Sequence, residues 1–289
     1  MTHLLCFGLG FTARVLAARL AARGWTISAT SRTAAGAAAI AAMGYRGWIF
    51  DGSSPLGDAA FEGVTHIVDS APPGADGDPV IARNRLLLAA RASQITWAAY
   101  LSTTGVYGDH AGGWVDEDTA LTPNTERGWR RVEAEAQWLD LWRETGFPVH
   151  LFRLAGIYGP GRNQLLSIRD GSARRIIKPG QVFSRIHVED IARVLEASMA
   201  HPHPGRAYNV CDDEACPPQD VIAYAAELLG RPVPPDIPFA EADLSPMARS
   251  FYADSKRVSN ERIRSELGVT LAYPTYREGL TALAKDLKD

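Results

Sequence analysis

Residues 4–13 read Leu4-Leu5-Cys6-Phe7-Gly8-Leu9-Gly10-Phe11-Thr12-Ala13. Four apolar residues run straight into Gly-x-Gly-x-x-Ala and then into the Ala-rich stretch 11–23, the pattern of a strand, a tight turn and a helix. In a dinucleotide site the first glycine makes the turn, the second lets the backbone approach a pyrophosphate, and the third small residue packs helix on strand. Gly8, Gly10 and Ala13 fill those places, and Phe11 and Thr12 open a helix whose N-terminus faces the phosphates. Without a strand before and a helix after, the same glycines would signal only a structural turn.

Outward from that turn, short apolar runs alternate with helical segments, as in βαβ units on a parallel sheet. Strands are expected at 3–8, 26–30, 46–50, 65–70, 97–102 and 148–153, with helices at 11–23, 33–43, 79–93 and 125–146. Beyond about residue 160, prolines break the chain into shorter pieces around helices near 189–200, 217–229, 256–267 and 275–287. The expected fold is α/β: a Rossmann-type, doubly wound parallel sheet over 1–160, and a smaller substrate or lid domain over 161–289. Parts of 180–210 are expected to return to the sheet.

The bulk properties agree with a globular chain. Its 289 residues are 46% hydrophobic and 22% charged, and the mean hydropathy is −0.12, which excludes disordered and fibrous classes. A net charge of −3 supplies no electrostatic footprint for nucleic acid or an anionic membrane. No apolar stretch is long enough to span a bilayer and no signal sequence is legible, so a cytoplasmic protein is expected. Cys6, Cys211 and Cys216 lack zinc-site spacing, and His201 and His203 have no companion ligands, so no metal is expected.

At the end of the second strand, Ser28-Ala29-Thr30-Ser31-Arg32 carries no carboxylate for a ribose 2′-hydroxyl. Arg32, with hydroxyls from Thr30 and Ser31, suits a 2′-phosphate, which favours NADP over NAD. The alternative is an arginine that stacks on adenine or points to solvent. Asp51 and Gly52, past the third strand, are placed to meet the adenine edge or to form only a turn.

The fifth strand leads into Tyr100-Leu101-Ser102-Thr103-Thr104-Gly105-Val106-Tyr107-Gly108, followed by Trp114-Val115-Asp116-Glu117. With Phe152-Arg153-Leu154-Ala155-Gly156-Ile157-Tyr158-Gly159-Pro160-Gly161-Arg162, Arg185-Ile186-His187-Val188-Glu189-Asp190, Tyr208-Asn209-Val210 and Asp254-Ser255-Lys256, the chain resembles the extended short-chain dehydrogenase/reductases, the NAD-dependent epimerase/dehydratases. The resemblance implies a nicotinamide cofactor under a domain that closes over a substrate, often a nucleotide sugar. It implies that Ala71 and Pro72 line the nicotinamide ribose, that Ser102 lies with the cofactor, and that Thr103 takes the place of the catalytic Ser/Thr. Thr104 is the alternative one register on. Tyr158, Arg162 and Arg185 fall on the substrate side, where the arginines suit a phosphate or carboxylate. The helices 79–93 and 125–146 commonly form a dimer seam in this family, and Leu86-Leu87-Leu88 cannot all face one core.

The chain departs from the family at its Tyr-x-x-x-Lys pair. Aligning Arg131-Val132-Glu133-Ala134-Glu135 with Lys-x-x-Ala-Glu puts Arg131 at the lysine and Arg127 at the tyrosine. Arginine keeps its proton, so Arg127 is no general base, although it can bind an anion or stabilise a developing negative charge. The pair can equally be two solvated arginines at a helix start. The one literal match, Tyr252-x-x-x-Lys256, belongs to the late Asp-x-Ser-Lys element and is expected to be structural. Tyr107 and Tyr158 remain as substitute proton donors, or as residues packing the cleft wall. Two functions follow: an NAD(P)-dependent oxidoreductase or epimerase without the usual pair, or a non-catalytic NADP-binding sensor or regulator.

Overall fold

The structure, a computed structural model, describes residues 2–287. In chain order its elements are β1 His3–Phe7, α1 Phe11–Ala21, β2 Thr26–Ser31, α2 Ala34–Ala42, β3 Arg46–Ile49, β4 His66–Asp69, α3 Pro79–Ala90, β5 Trp97–Thr103, β6 Trp114–Val115, α4 Glu126–Thr145 and β7 Val149–Leu154. Then come β8 Gly156–Tyr158, α5 Gln164–Arg169, β9 Arg175–Ile177, β10 Arg185–His187, α6 Val188–Ala200, β11 Ala207–Val210, α7 Pro218–Leu228, β12 Asp236–Pro238, α8 Pro246–Phe251, β13 Arg257–Val258, α9 Glu261–Ser265 and α10 Tyr276–Asp286.

A seven-stranded parallel sheet runs in the order β11-β7-β5-β4-β1-β2-β3. The order reverses between β4 and β1, and a doubly wound sheet opens its ligand crevice outside the carboxyl ends of the strands at such a switch point. Strand alternation divides the core. Leu5, Phe7, Ile67, Ala98, Tyr100, Val149 and Leu151 pack with Val80, Ile81 and Leu88 of α3 and with Ala134, Trp138 and Leu141 of α4. Trp138 is wholly buried, a side chain of ~200 Å² that contributes roughly 5 kcal/mol of transfer free energy. From the alternate positions, rings follow one another across the strands: His66 to Trp97 at 6.2 Å, Trp97 to His150 at 5.8 Å and Phe152 to Tyr208 at 5.8 Å.

The chain divides into two compact units, Met1–Thr103 with Glu126–Arg153 and Val194–Tyr208, and Thr104–Thr125 with Leu154–Arg193 and Asn209–Asp289. These bounds differ from a cut at residue 160, because the chain leaves the sheet after β5 and comes back to it only at α4. In the first unit, Arg19 of α1 pairs with Glu196 at 2.6 Å, which ties Val194–Tyr208 to the sheet's helical layer.

The second unit contains three two-stranded parallel pairs, β8 with β10, β9 with β12 and β6 with β13. Strands of two or three residues are too short to show a period, so the sequence displays only the helices there. The expected helix 256–267 is corrected: Arg257 and Val258 pair with Trp114 and Val115, and the helix is confined to Glu261–Ser265. Lys256 donates to Gly108 O at 2.6 Å and to Asp254 at 3.2 Å, a structural tie and not half of a catalytic pair.

Burial holds His150 neutral, with its pKa pushed down to about 4, and its Nδ1 meets Ala98 O at 3.1 Å. Because the unfolded imidazole takes its proton near pH 6.5, this contribution is complete above that value and is lost as pH falls toward about 4. His150→Phe, which keeps the ring stack, is expected to remove about 3 kcal/mol of that acid loss in urea titrations repeated across this range.

Candidate functional site

The site in the first unit begins at the turn after β1. Gly8 has φ +82°, a left-handed value that favours glycine, and a Cβ there would stand 3.0 Å from Ser70 Oγ. The turn is braced on two sides. Gly8 N donates to Thr30 Oγ1 at 3.0 Å, and Ser70 Oγ donates to Phe7 O at 3.1 Å and Gly8 O at 3.2 Å. Gly10 is the N-cap of α1 and no side chain caps the helix. A Cβ on Gly10 would meet nothing within 4 Å, whereas Ala13 is buried against the sheet. A helix N-terminus beside a glycine with open space around it fits a dinucleotide pyrophosphate.

At the end of β2, Arg32 is exposed and Ser31 half-buried. Thr30, grouped with them on sequence, is buried, and its hydroxyl accepts from Gly8 N. Asp51 is exposed and its Oδ1 accepts from Ser53 N at 2.9 Å and Ser53 Oγ at 2.6 Å, while Gly52 O accepts from Arg83 at 2.7 Å. The hydrogen bonds to Ser53 hold the Asp51 carboxyl below its ordinary pKa. Ala71 is half-buried, with its N–H on Asp69 Oδ1 at 2.8 Å, and Pro72 is exposed.

The next group sits at the end of β5. Ser102 is corrected from a cofactor contact to a buried support: its hydroxyl donates to Glu135 Oε1 at 2.6 Å. Arg153 reaches the same carboxylate at 2.8 Å, with both side chains nearly out of solvent. Arg131 donates to Leu101 O at 2.9 Å and to Tyr100 OH at 3.0 Å, so the guanidinium is fastened to β5. Thr103, the last residue of β5, is half-buried, and Arg127 lies exposed in the first turn of α4.

Within the second unit, Thr104 opens a short 3₁₀ turn, Thr104–Tyr107. Tyr107 is corrected as a proton donor: it is fully buried and its hydroxyl donates to Asn209 Oδ1 at 2.7 Å. Tyr158 is buried too, with its hydroxyl 3.4 Å from Thr275 O, its ring against His187 and its pKa raised by burial. Neither tyrosine presents a phenol to a substrate. Arg185 is also turned inward, its NH1 donating to Phe183 O at 2.9 Å and to Cys216 Sγ at 3.0 Å. Arg162 is exposed after the Gly159–Arg162 bridge. Beside Arg185, burial pushes Asp212 up to about 8. Among the described residues no group of three or more His, Cys, Asp or Glu could hold a metal ion.

Sequence reasoning missed Ser70, Asp69, Asp78, Glu135 and Arg153. Asp78 carried a signal, since Asp directly before Pro79 is an N-cap followed by an N1 proline, and its Oδ1 indeed accepts from Val80 N and Ile81 N. A charged Arg153 inside an apolar strand was a second signal, because a buried charge requires a partner.

This turn on this sheet defines an α/β nucleotide-binding protein. Residues 8–211 match the NAD dependent epimerase/dehydratase family, and the chain belongs to that family. Protein YeeZ of Escherichia coli (strain K12) is 29% identical and aligns over 95% of this chain and 97% of its own. A solved structure of a functionally unknown conserved protein from Silicibacter pomeroyi DSS is 57% identical, with TM-score 0.91 and full coverage of both chains. The dTDP-glucose 4,6-dehydratase of Bacillus anthracis str. Ames, solved with NAD, has TM-score 0.78 at 18% identity over 100% of this chain and 96% of that one, a likeness of fold. No helix among the described residues is long and apolar enough to cross a membrane.

The ion pair under β5 has a measurable consequence. Glu135→Ala leaves Arg153 buried and unpaired and is expected to cost about 3–5 kcal/mol in urea unfolding. The double variant Glu135→Leu/Arg153→Met is expected to recover most of that loss, because it removes both charges together.

Proposed function

We propose that the protein is an NADP-preferring oxidoreductase or epimerase-like enzyme that works without the family's tyrosine and lysine. The observation that carries this is the open space at Gly10 on the uncapped start of α1, with an exposed arginine in place of a carboxylate at the end of β2. Gly8, Gly10, Phe11, Thr12 and Ala13 hold the pyrophosphate. Ser31 and Arg32 hold the 2′-phosphate, Asp51 and Gly52 lie at the adenine, and Ala71 and Pro72 line the nicotinamide ribose. When bound, the nicotinamide supplies or accepts hydride. Thr103 orients the substrate oxygen, with Thr104 as its alternative. Arg131, fixed on β5, and Arg127, exposed on α4, supply positive charge where an oxyanion develops. The substrate is a small molecule, with a nucleotide sugar as the class to test first. The protein works in the cytoplasm.

The buried, engaged hydroxyls of Tyr107 and Tyr158 favour a second reading, a non-catalytic NADP-binding sensor or regulator. Loss of a proton-transfer group removes ~10²–10⁴-fold in rate, enough to retire an ancestral reaction. Turnover of bound NADPH with any substrate in a screened set supports the enzyme. Tight binding with no turnover across the set supports the sensor.

Calorimetric titration with NADPH, NADP, NADH and NAD tests the shared foundation. NADPH is expected to bind most tightly, and Arg32→Ala to cost about 10- to 100-fold for NADPH and little for NADH. Binding of none of the four would remove both readings.

We place a homodimer seam on α3 and α4. Leu86 is 87% exposed and Trp129 54%, and a groove of about 370 Å³ is lined by Ala75, Trp129, Val132 and Ala136 together with the charged Glu126, Arg130 and Glu133. Sedimentation at micromolar concentration is expected to give a dimer and Leu86→Asp a monomer; a monomeric wild type overturns the seam.

A further inference from the structure

The loop between β4 and α3 is closed at both ends by carboxyl groups. Asp69 ends β4, Asp78 caps α3, and both are completely buried. Each uses one oxygen on backbone: Asp69 Oδ1 accepts from Ala71 N at 2.8 Å, and Asp78 Oδ1 from Val80 N at 2.8 Å and Ile81 N at 3.0 Å. The two remaining oxygens, Asp69 Oδ2 and Asp78 Oδ2, meet no donor from any other group. Each carboxyl group nevertheless acts on the other. Ionised carboxylates only accept, so two buried oxygens that meet no donor call for a proton on one of them.

The surroundings fix the number of protons. From α4 the Arg131 guanidinium acts on Asp69, and the buried Trp138 indole N–H, which meets no acceptor, acts on Asp78. From β5 the Tyr100 hydroxyl lies beside both and accepts from Arg131. With one shared proton the pair carries −1 beside the +1 of the half-buried Arg131. With none, a second negative charge rests on buried oxygens that meet no donor; with two, the guanidinium faces no negative charge there. Uncompensated buried charge is the costliest of these states. Burial and the neighbouring carboxyl accordingly raise Asp69 well above the ordinary carboxylate range, and burial raises Asp78.

The loop held in this way has no slack. Gly74 N donates to Gly77 O at 2.9 Å, Gly77 has φ +87°, and a Cβ on Gly77 would stand 2.2 Å from the Gln137 side chain. Gln137 in turn accepts from Asp78 N at 2.8 Å. We propose that Asp69 and Asp78 share a single proton, and that this acid pair is the positioning device for the Ala71–Pro72 segment. The part of this that concerns Ala71 and Pro72 as cofactor neighbours rests on the function proposed above; the shared proton does not.

Asp69→Asn and Asp78→Asn keep the shape and supply an N–H to the opposite carboxylate. Above the ordinary carboxylate range the folded pair holds a proton that the unfolded chain has lost, so wild-type stability falls as pH rises until the pair itself ionises. Asp69→Asn removes that slope. Its advantage over wild type in urea unfolding is expected to grow across pH 5–9, by up to about tenfold in the folding equilibrium per pH unit. The histidines, whose effect has the opposite sign, cancel in the comparison. At neutral pH the wild-type infrared spectrum is expected to show a carboxylic-acid carbonyl band that Asp69→Asn loses. An advantage that does not change with pH, or no acid band in the wild type, overturns the shared proton; the wild-type band and Asp78→Asn decide the matter if Asp69→Asn does not fold. NADPH affinity followed over the same range is expected to weaken with alkali in wild type and to stay level in Asp69→Asn. If the stability slope and band are present while NADPH affinity does not follow them, the acid pair stands and the placing of its loop against the cofactor falls. If no nucleotide binds at all, the proposed function fails and the band and slope still decide the proton.

Discussion

The buried contact of Arg153 with Glu135 is the interaction from which the β5 end of the site is built. Arg153 projects from β7, Glu135 from α4, and Ser102 from β5 completes the carboxylate's bonds. Taking both charges out of water is expensive, and the cost is met only where the geometry satisfies every lone pair. That demand fixes the rotation of α4 about its axis and its height above the sheet. Arg131, one helical turn earlier on the same helix, is thereby brought onto Leu101 O and Tyr100 OH. Arg131 is thus a rigid cation fastened to the strand that ends in Thr103.

A second constraint acts at the switch point of the sheet. The glycine turn after β1 is held by Thr30 from the strand on one side and by Ser70 from the strand on the other. Immediately beyond Ser70, the backbone is held again through Asp69. The loops at the β1 and β4 ends are therefore joined by short side chains, and the glycine turn is held in place by the hydroxyl groups of Thr30 and Ser70. These are groups with small conformational entropy to lose, which suits a surface that must present its backbone without moving.

Much of the fold was legible because its signals are local. The four central strands read as apolar runs, the helices between them have matching composition, and Leu86 falls outside the core stripe as three successive leucines require. The short strands of the second unit were not legible, since β6 and β13 are two residues long and exist only because they find each other 143 residues apart in the chain. Tyr107 and Tyr158 illustrate a different limit. Sequence places a tyrosine near a turn but does not say whether its hydroxyl meets solvent or Asn209, and the difference separates a proton donor from a packing residue. Ser102 and Thr30 show the same limit, since only the packed chain brings their hydroxyls onto Glu135 and Gly8 N.

What the sequence by itself determined is the doubly wound sheet, the glycine turn with its open approach at Gly10, the absence of a carboxylate at the end of β2 and the family. Each depends on residues adjacent in the chain or on the spacing of motifs. Only the tertiary structure decided which polar groups are spent on the protein: Arg131 on β5, Ser102 on Glu135, Arg185 on Cys216, Asp69 on Ala71 N. The reason is that satisfying a buried donor or charge is a long-range condition, met by whichever partner the packed chain brings within ~3 Å, and nothing in the local sequence names that partner.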